Sequence, residues 1–166
     1  TIGAPAIDEL LKILVDPDCT AFQVGLINLS LSFIGSKAPD AFDQATQSDN
    51  VEIRIAAITV LAEQIQAQTN KSAKSALLKA LSDEASEVRA EAATMAGKTL
   101  EPEDAINQLC RMLQDESDQV RKNTSLALMK MEATNAIEQI KDAINAEKNE
   151  QVKSVMTVAV NVLEKA

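Results

Sequence analysis

One short pattern returns five times along the chain, and nothing else in the sequence restricts the fold as much. With Gln23, Arg54, Arg89, Arg121 and Lys153 set in one column, the steps between them are 31, 35, 32 and 32 residues. The residue before each is apolar: Phe22, Ile53, Val88, Val120 and Val152. Leu14, Ala45, Ala80, Met112 and Ile144 stand nine positions ahead of the column, and Ile7, Ala38, Ala73, Ala105 and Ile137 sixteen ahead. Residues seven apart share one face of a helix, so each unit opens with a helix A. Leu29, Val60, Met95, Ala127 and Ala159, six positions after the column, lie on a second helix B.

A hairpin this small cannot bury its own apolar stripe, so the units must stack, each on its neighbours. The expected fold is all-α: an α-solenoid of five stacked antiparallel helical hairpins in a single array over 1–166. The units fall near 1–35, 36–69, 70–100, 101–132 and 133–166. The A helices are expected near 5–15, 38–47, 71–81, 102–113 and 134–146, and the B helices near 20–34, 51–68, 85–99, 117–132 and 149–165. Pro5, Pro39 and Pro102 each suit the first turn of an A helix, with Gly3 and Gly35 just ahead of two of those openings. Asp49 with Glu52, and Asn135 with Glu138, have the spacing of reciprocal N-terminal caps. Phe22, Phe33 and Phe42 are expected to fill gaps around the short second hairpin, with one of them serving as an exposed anchor as the alternative. Composition agrees: aromatic residues make up 2%, and there is no Trp or Tyr, which disfavours a β-sandwich or barrel.

The chain contains no His, which removes the commonest general base, the commonest metal ligand and every histidine-containing triad. No phosphate loop, nucleophile elbow or paired catalytic carboxylates appears, and neither a metal nor an organic cofactor is expected. The acidic groups Glu101, Glu103, Asp104 and Asp115, Glu116, Asp118 sit beside helix starts, where negative charge complements the helix dipole. A formal charge of −9 opposes the phosphate attraction behind most nucleic-acid and anionic-membrane binding. Cys19 and Cys110 have neither CxxC spacing nor a His companion, so they read as reduced packing thiols in a cytoplasmic protein. No apolar run approaches the ~20 residues of a membrane span.

The segments Asp83 to Ala93 and Asp115 to Arg121, in which an Asp stands six before an Arg that follows Val, resemble the HEAT-repeat family, and within it the phycobilisome-lyase-like repeats. Glu147 and Lys153 reproduce the spacing conservatively, while the first unit departs from it with Gln23 and Pro17. The resemblance implies a HEAT-like, armadillo-type superhelix. It also implies a structural ladder of Asp83, Arg89, Asp115, Arg121, Lys153 and Arg54, which charge-assisted hydrogen bonding from a guanidinium to a turn carboxylate would support.

Such arrays present long rigid grooves, so the leading reading of function is a noncatalytic scaffold that holds another protein on its concave B-helix surface. The outward positions expected to meet the partner are Glu52, Glu63, Glu91, Thr94, Lys98, Lys122, Asn123 and Lys130. A second reading, implied by the resemblance alone, is chromophore handling of the bilin-lyase kind, since that subtype is named from proteins that attach or remove bilins on phycobiliproteins. A third, HEAT-like DNA binding, needs a basic strip along the arginine column and is disfavoured by the charge. The opening from Ile2 to Leu11 resembles a junction between repeats, and helix A carries Ile7, Leu10, Leu11, Ile13 and Leu14. An upstream repeat, or self-association through this first helix, is therefore expected.

Overall fold

A computed structural model describes residues 3–37, 42–67 and 72–166, and every regular element among them is helical. The chain divides into two compact units, Thr1–Ala80 and Leu81–Ala166.

The first unit contains α1 (Gly3–Leu14), α2 (Ala21–Lys37), α3 (Phe42–Ala45), α4 (Val51–Gln66) and α5 (Ala73–Ala80). α1 pairs with α2, α2 packs on α4, and α5 packs on α4. Ile7 and Leu11 of α1 meet Ile27 and Leu31 of α2, with Phe42, Ile53, Ala57, Val60 and Leu61 completing the core. The expected opening of the second A helix at Ala38 and Pro39, and Lys71 at the start of the third, lie outside the described residues.

Phe42 is fully buried and fills this core, whereas Phe22 and Phe33 are largely exposed. Gly35 is not a boundary either, because α2 continues through it to Lys37. At the head of α2, Thr20 and Gln23 form a reciprocal capping box: the Gln23 side chain accepts from the Thr20 amide at 2.9 Å, and the Thr20 hydroxyl accepts from the Gln23 amide at 3.3 Å. The cap of α4 is Asn50, whose carbonyl oxygen accepts from the Glu52 and Ile53 amides; it is one residue beyond the expected Asp49.

The second unit contains α6 (Ser86–Thr99), α7 (Pro102–Met112), α8 (Asp118–Lys130), a 3-10 turn at Thr134–Ala136, α9 (Ile137–Ala146) and α10 (Glu150–Leu163). The B helices α6, α8 and α10 stack in sequence, with α7 paired to α8 and α9 paired to α10. α6 and α8 come so close that a Cβ on Gly97 would stand 2.6 Å from the Ala127 Cα; the buried small residues Ala92, Ala93 and Ala96 share that helix. Pro102 opens α7 as expected, and Glu103 and Asp104 occupy its first turn. Asn135 is not a cap of α9; it lies in the 3-10 turn, and α9 begins at Ile137. α10 is capped by Asn149, which accepts from the Gln151 and Val152 amides. After α8 the chain turns at Glu132 with φ 53°, and the Ala133 amide returns to the Leu128 carbonyl at 3.1 Å.

Candidate functional site

The arginine column produces one repeated local geometry. Each guanidinium first binds its own turn through Nη1: Arg54 donates to the Ser48 carbonyl at 2.6 Å, Arg89 to those of Asp83 and Glu84 at 2.9 and 3.0 Å, and Arg121 to those of Asp115 and Glu116 at 2.8 and 3.1 Å. In the second unit the other edge of the fork then spans to the next turn. Arg89 grips Asp115 through Nε and Nη2 at 2.8 and 2.9 Å, and Arg121 grips Glu147 likewise at 2.7 and 2.9 Å. These are planar bidentate pairs, the strong form of charge-assisted hydrogen bond.

The carboxylates serve a second purpose, because they also order the turns that carry them. Asp83 accepts from the Ala85 amide, Asp115 from the Ser117 amide, and Glu147 from the Lys148 and Asn149 amides, all at 2.8–2.9 Å. Arg121 additionally contacts Asp118, and Asp118 accepts from the Asn149 side chain at 2.5 Å.

The electrostatics follow from this geometry. Burial alone would raise the Asp115 carboxyl, but the Arg89 fork and the Ser117 amide outweigh it and hold the group below its usual value. Arg121 takes Glu147 down to about 2, against the opposing effect of burial, with the Asn149 and Lys148 amides helping. Lys153, the last member of the column, faces no acidic partner among the described residues. Gln23, the first, is spent on the capping box.

Beside the second rung is a cleft of about 430 Å³ lined by Leu113, Gln114, Asp115, Arg121, Ala143, Ala146, Glu147 and Lys148. Asp115, Arg121 and Glu147 in its wall are already paired with one another or with neighbouring groups, and Lys148 is exposed beside them. Among the described residues no three His, Cys, Asp or Glu side chains converge as a metal site would require. Burial pushes the Cys110 thiol up, away from the thiolate that nucleophilic chemistry needs. Arg89 and Arg121, engaged on carboxylates, do not supply the strip of available cations that a DNA-binding surface would need.

The positions expected to meet a partner divide by exposure. Glu52 and Glu63 on α4 are exposed, as are Lys98 on α6 and Lys130 on α8; Glu91 and Lys122 are half-buried. Thr94 and Asn123 are tied together instead: the Asn123 amide donates to the Thr94 hydroxyl and to the Ala90 carbonyl, both at 3.0 Å, joining α6 to α8. In the same outward columns, the reading of the sequence passed over Leu126, Val158 and Val162, which are exposed on α8 and α10. Leu126 and Val158 hold the repeat position of Thr94, and Val162 that of Lys98 and Lys130. Column position was the signal that marks them; polarity was not. The outward face of the second unit thus passes from charged on α6 to apolar on α10.

The sequence profile of HEAT repeats matches residues 38–126 and again 74–161. The chain belongs to the HEAT-repeat family. Bilin biosynthesis protein MpeU from Synechococcus sp. (strain WH8020) is 55% identical over 161 residues, which is 97% of this chain and 54% of that protein. The array therefore spans about half the length of that relative.

Among solved structures, a chain of the complex of CpcE and CpcF of phycocyanin lyase from Nostoc sp. PCC7120 superposes with a TM-score of 0.65 at 18% identity, covering 93% of this chain and 98% of that one. A designed armadillo repeat protein in complex with the peptide (KR)4 superposes with a TM-score of 0.58 at 21% identity, covering 98% and 83%. These likenesses show the fold: an all-α array of the HEAT and armadillo solenoid class. No helix among the described residues is long and apolar enough to cross a membrane.

Proposed function

We propose that this HEAT array takes part in bilin handling as the body that holds the protein acceptor of the chromophore. The observation that carries the reading is the 55% identity to a bilin biosynthesis protein, sustained over 97% of this chain. The expected scaffold role is kept within it, since recognition of a protein surface is what a rigid helical array does at small ordering cost. The proposed contact face is the outward side of α6, α8 and α10, where Lys98 and Lys130 adjoin the columns of Leu126, Val158 and Val162. Mixed polar and apolar character of this kind suits a folded acceptor better than a polyanion. We place the activity in the cytoplasm, where two unpaired thiols are stable.

The test combines the protein with a bilin and an apo-phycobiliprotein. The expected result is a bilin absorption band on the acceptor that survives denaturing gel electrophoresis, together with co-elution of the array and the acceptor. Leu126→Glu with Val158→Glu should abolish the co-elution while leaving helicity intact. Neither band nor co-elution with the unaltered protein would overturn the proposal.

A further inference from the structure

The cleft beside the second rung owes its space to a variation on the turn that precedes it. α7 stops at Met112, three residues before the acceptor Asp115, whereas α9 runs on to Ala146, directly before the acceptor Glu147. The last turn of α9 thereby sets Ala143 and Ala146 on one face, and both line the cleft. The residue before the acceptor is Gln114 in the earlier turn and Ala146 in this one; the residue after it is Glu116 there and Lys148 here. One exchange shortens a wall, and the other replaces an acid with a base.

Arg121 spends all five of its N–H groups within the plane of the guanidinium. Nη1 donates to the Asp115 and Glu116 carbonyls, Nε and Nη2 donate to Glu147, and Nη2 also donates to Asp118. A ligand in the cleft therefore finds no donor left along that edge. What the side chain can still present is its methylene stem and the flat face of a cation fixed in orientation, a surface that suits a conjugated ring. Leu113 and the two alanines extend it with apolar groups. Asp115 and Glu147 are neutralised by Arg89 and Arg121, whereas the Lys148 ammonium is exposed and has no acidic partner among the described residues. A volume of about 430 Å³ lies within the range of small-molecule sites.

We infer that this cleft is a binding site for a small planar molecule that combines a conjugated ring system with an acidic group, the ring resting on Arg121, Leu113, Ala143 and Ala146 and the acid meeting Lys148. The ring satisfies a surface that hydrogen-bonding ligands cannot use, and the acid answers the one cation of the wall that the ladder leaves unpaired among the described residues. None of these residues belongs to the proposed contact face, so the two readings stand or fall separately.

2-Naphthoate, a two-ring carboxylate, serves as the probe, with 2-naphthamide as its neutral isostere. In an NMR titration of the full chain, 2-naphthoate should move the Ala143 and Ala146 methyl signals and the Arg121 Nε–H signal upfield through the ring current, saturating with a Kd of about 0.1–1 mM. The Arg89 Nε–H signal should stay in place. Ala146→Gln and Lys148→Glu restore the residues of the earlier turn at two exposed positions. Each should raise the dissociation constant about tenfold with the melting temperature unchanged, and 2-naphthamide should bind about tenfold more weakly than the acid. Absence of any shift at ten times the expected Kd, an equal shift of the Arg89 signal, binding indifferent to both substitutions, or equal affinity for acid and amide would each overturn the inference.

Discussion

Arg121 and Glu147 are the residues on which the second unit depends most sharply. The Glu147 side chain is only 2% exposed, so removing its partner leaves a carboxylate with little access to water. Arg121→Ala should cost about 3–4 kcal/mol and Arg89→Ala about 1–3 kcal/mol in urea unfolding. Arg121→Lys should rescue little, because an ammonium cannot make the two-pronged grip. Glu147 is held near 2 in the folded chain, against 4.5 as its ordinary value. The stabilisation it gives is complete above its unfolded value and is lost as pH falls through about 4.5 toward 2, reaching about 3 kcal/mol. Acid titration of stability should show this loss, and Glu147→Gln should flatten it. Glu132 carries the reverse opportunity: it holds φ 53°, a conformation glycine adopts without steric cost. Glu132→Gly should therefore raise stability by about 0.5–1 kcal/mol, measured by thermal melting.

At the scale of helices, the periodic columns were readable because stacking imposes them on every unit alike. Val88, Val120 and Val152 had to be buried wherever the pattern held, and they are. Caps were less readable, since a side chain one residue away competes for the same amides. Asn50 and Asn149 both stand four before their column residues, a coincidence that the spacing of Asp49 and Glu52 concealed. The rung acceptors were readable in spacing but not in direction: whether a guanidinium joins its own turn or the next depends on how far apart the packed helices lie. Gly97 illustrates what sequence spacing cannot convey, because its necessity comes from Ala127, thirty residues on. Gly97→Ala should cost about 1–3 kcal/mol and should be only partly relieved by Ala127→Gly, because the nearest obstructing atom is main chain. Asn149→Ala should cost about 1 kcal/mol through the loss of its cap, with the effect concentrated in hydrogen exchange of the first turn of α10.

For the molecule as a whole, family and fold class followed from register, whereas the proposed contact face did not. A search for outward polar groups finds Lys98 and Lys130, but it discards Leu126, Val158 and Val162 because an apolar residue in a repeat is ordinarily core. Electrostatic and apolar parts of that face should separate experimentally. Lys98→Glu with Lys130→Glu should weaken acceptor binding about tenfold at low salt and less at high salt, with the melting temperature held.

Because Arg89 and Arg121 anchor on the carbonyls six and five residues behind them and reach a carboxylate 26 ahead, each rung behaves like a codon with its own reading frame. Excising residues 89–120 would splice Arg121 directly after Val88, with the Asp83 and Glu84 carbonyls behind it and Glu147 still at its proper remove ahead. The shortened chain keeps grammatical sense, whereas a deletion a few residues longer or shorter does not. Gene-level loss or duplication of such a segment would thus change the length of the array without requiring any new interaction to arise.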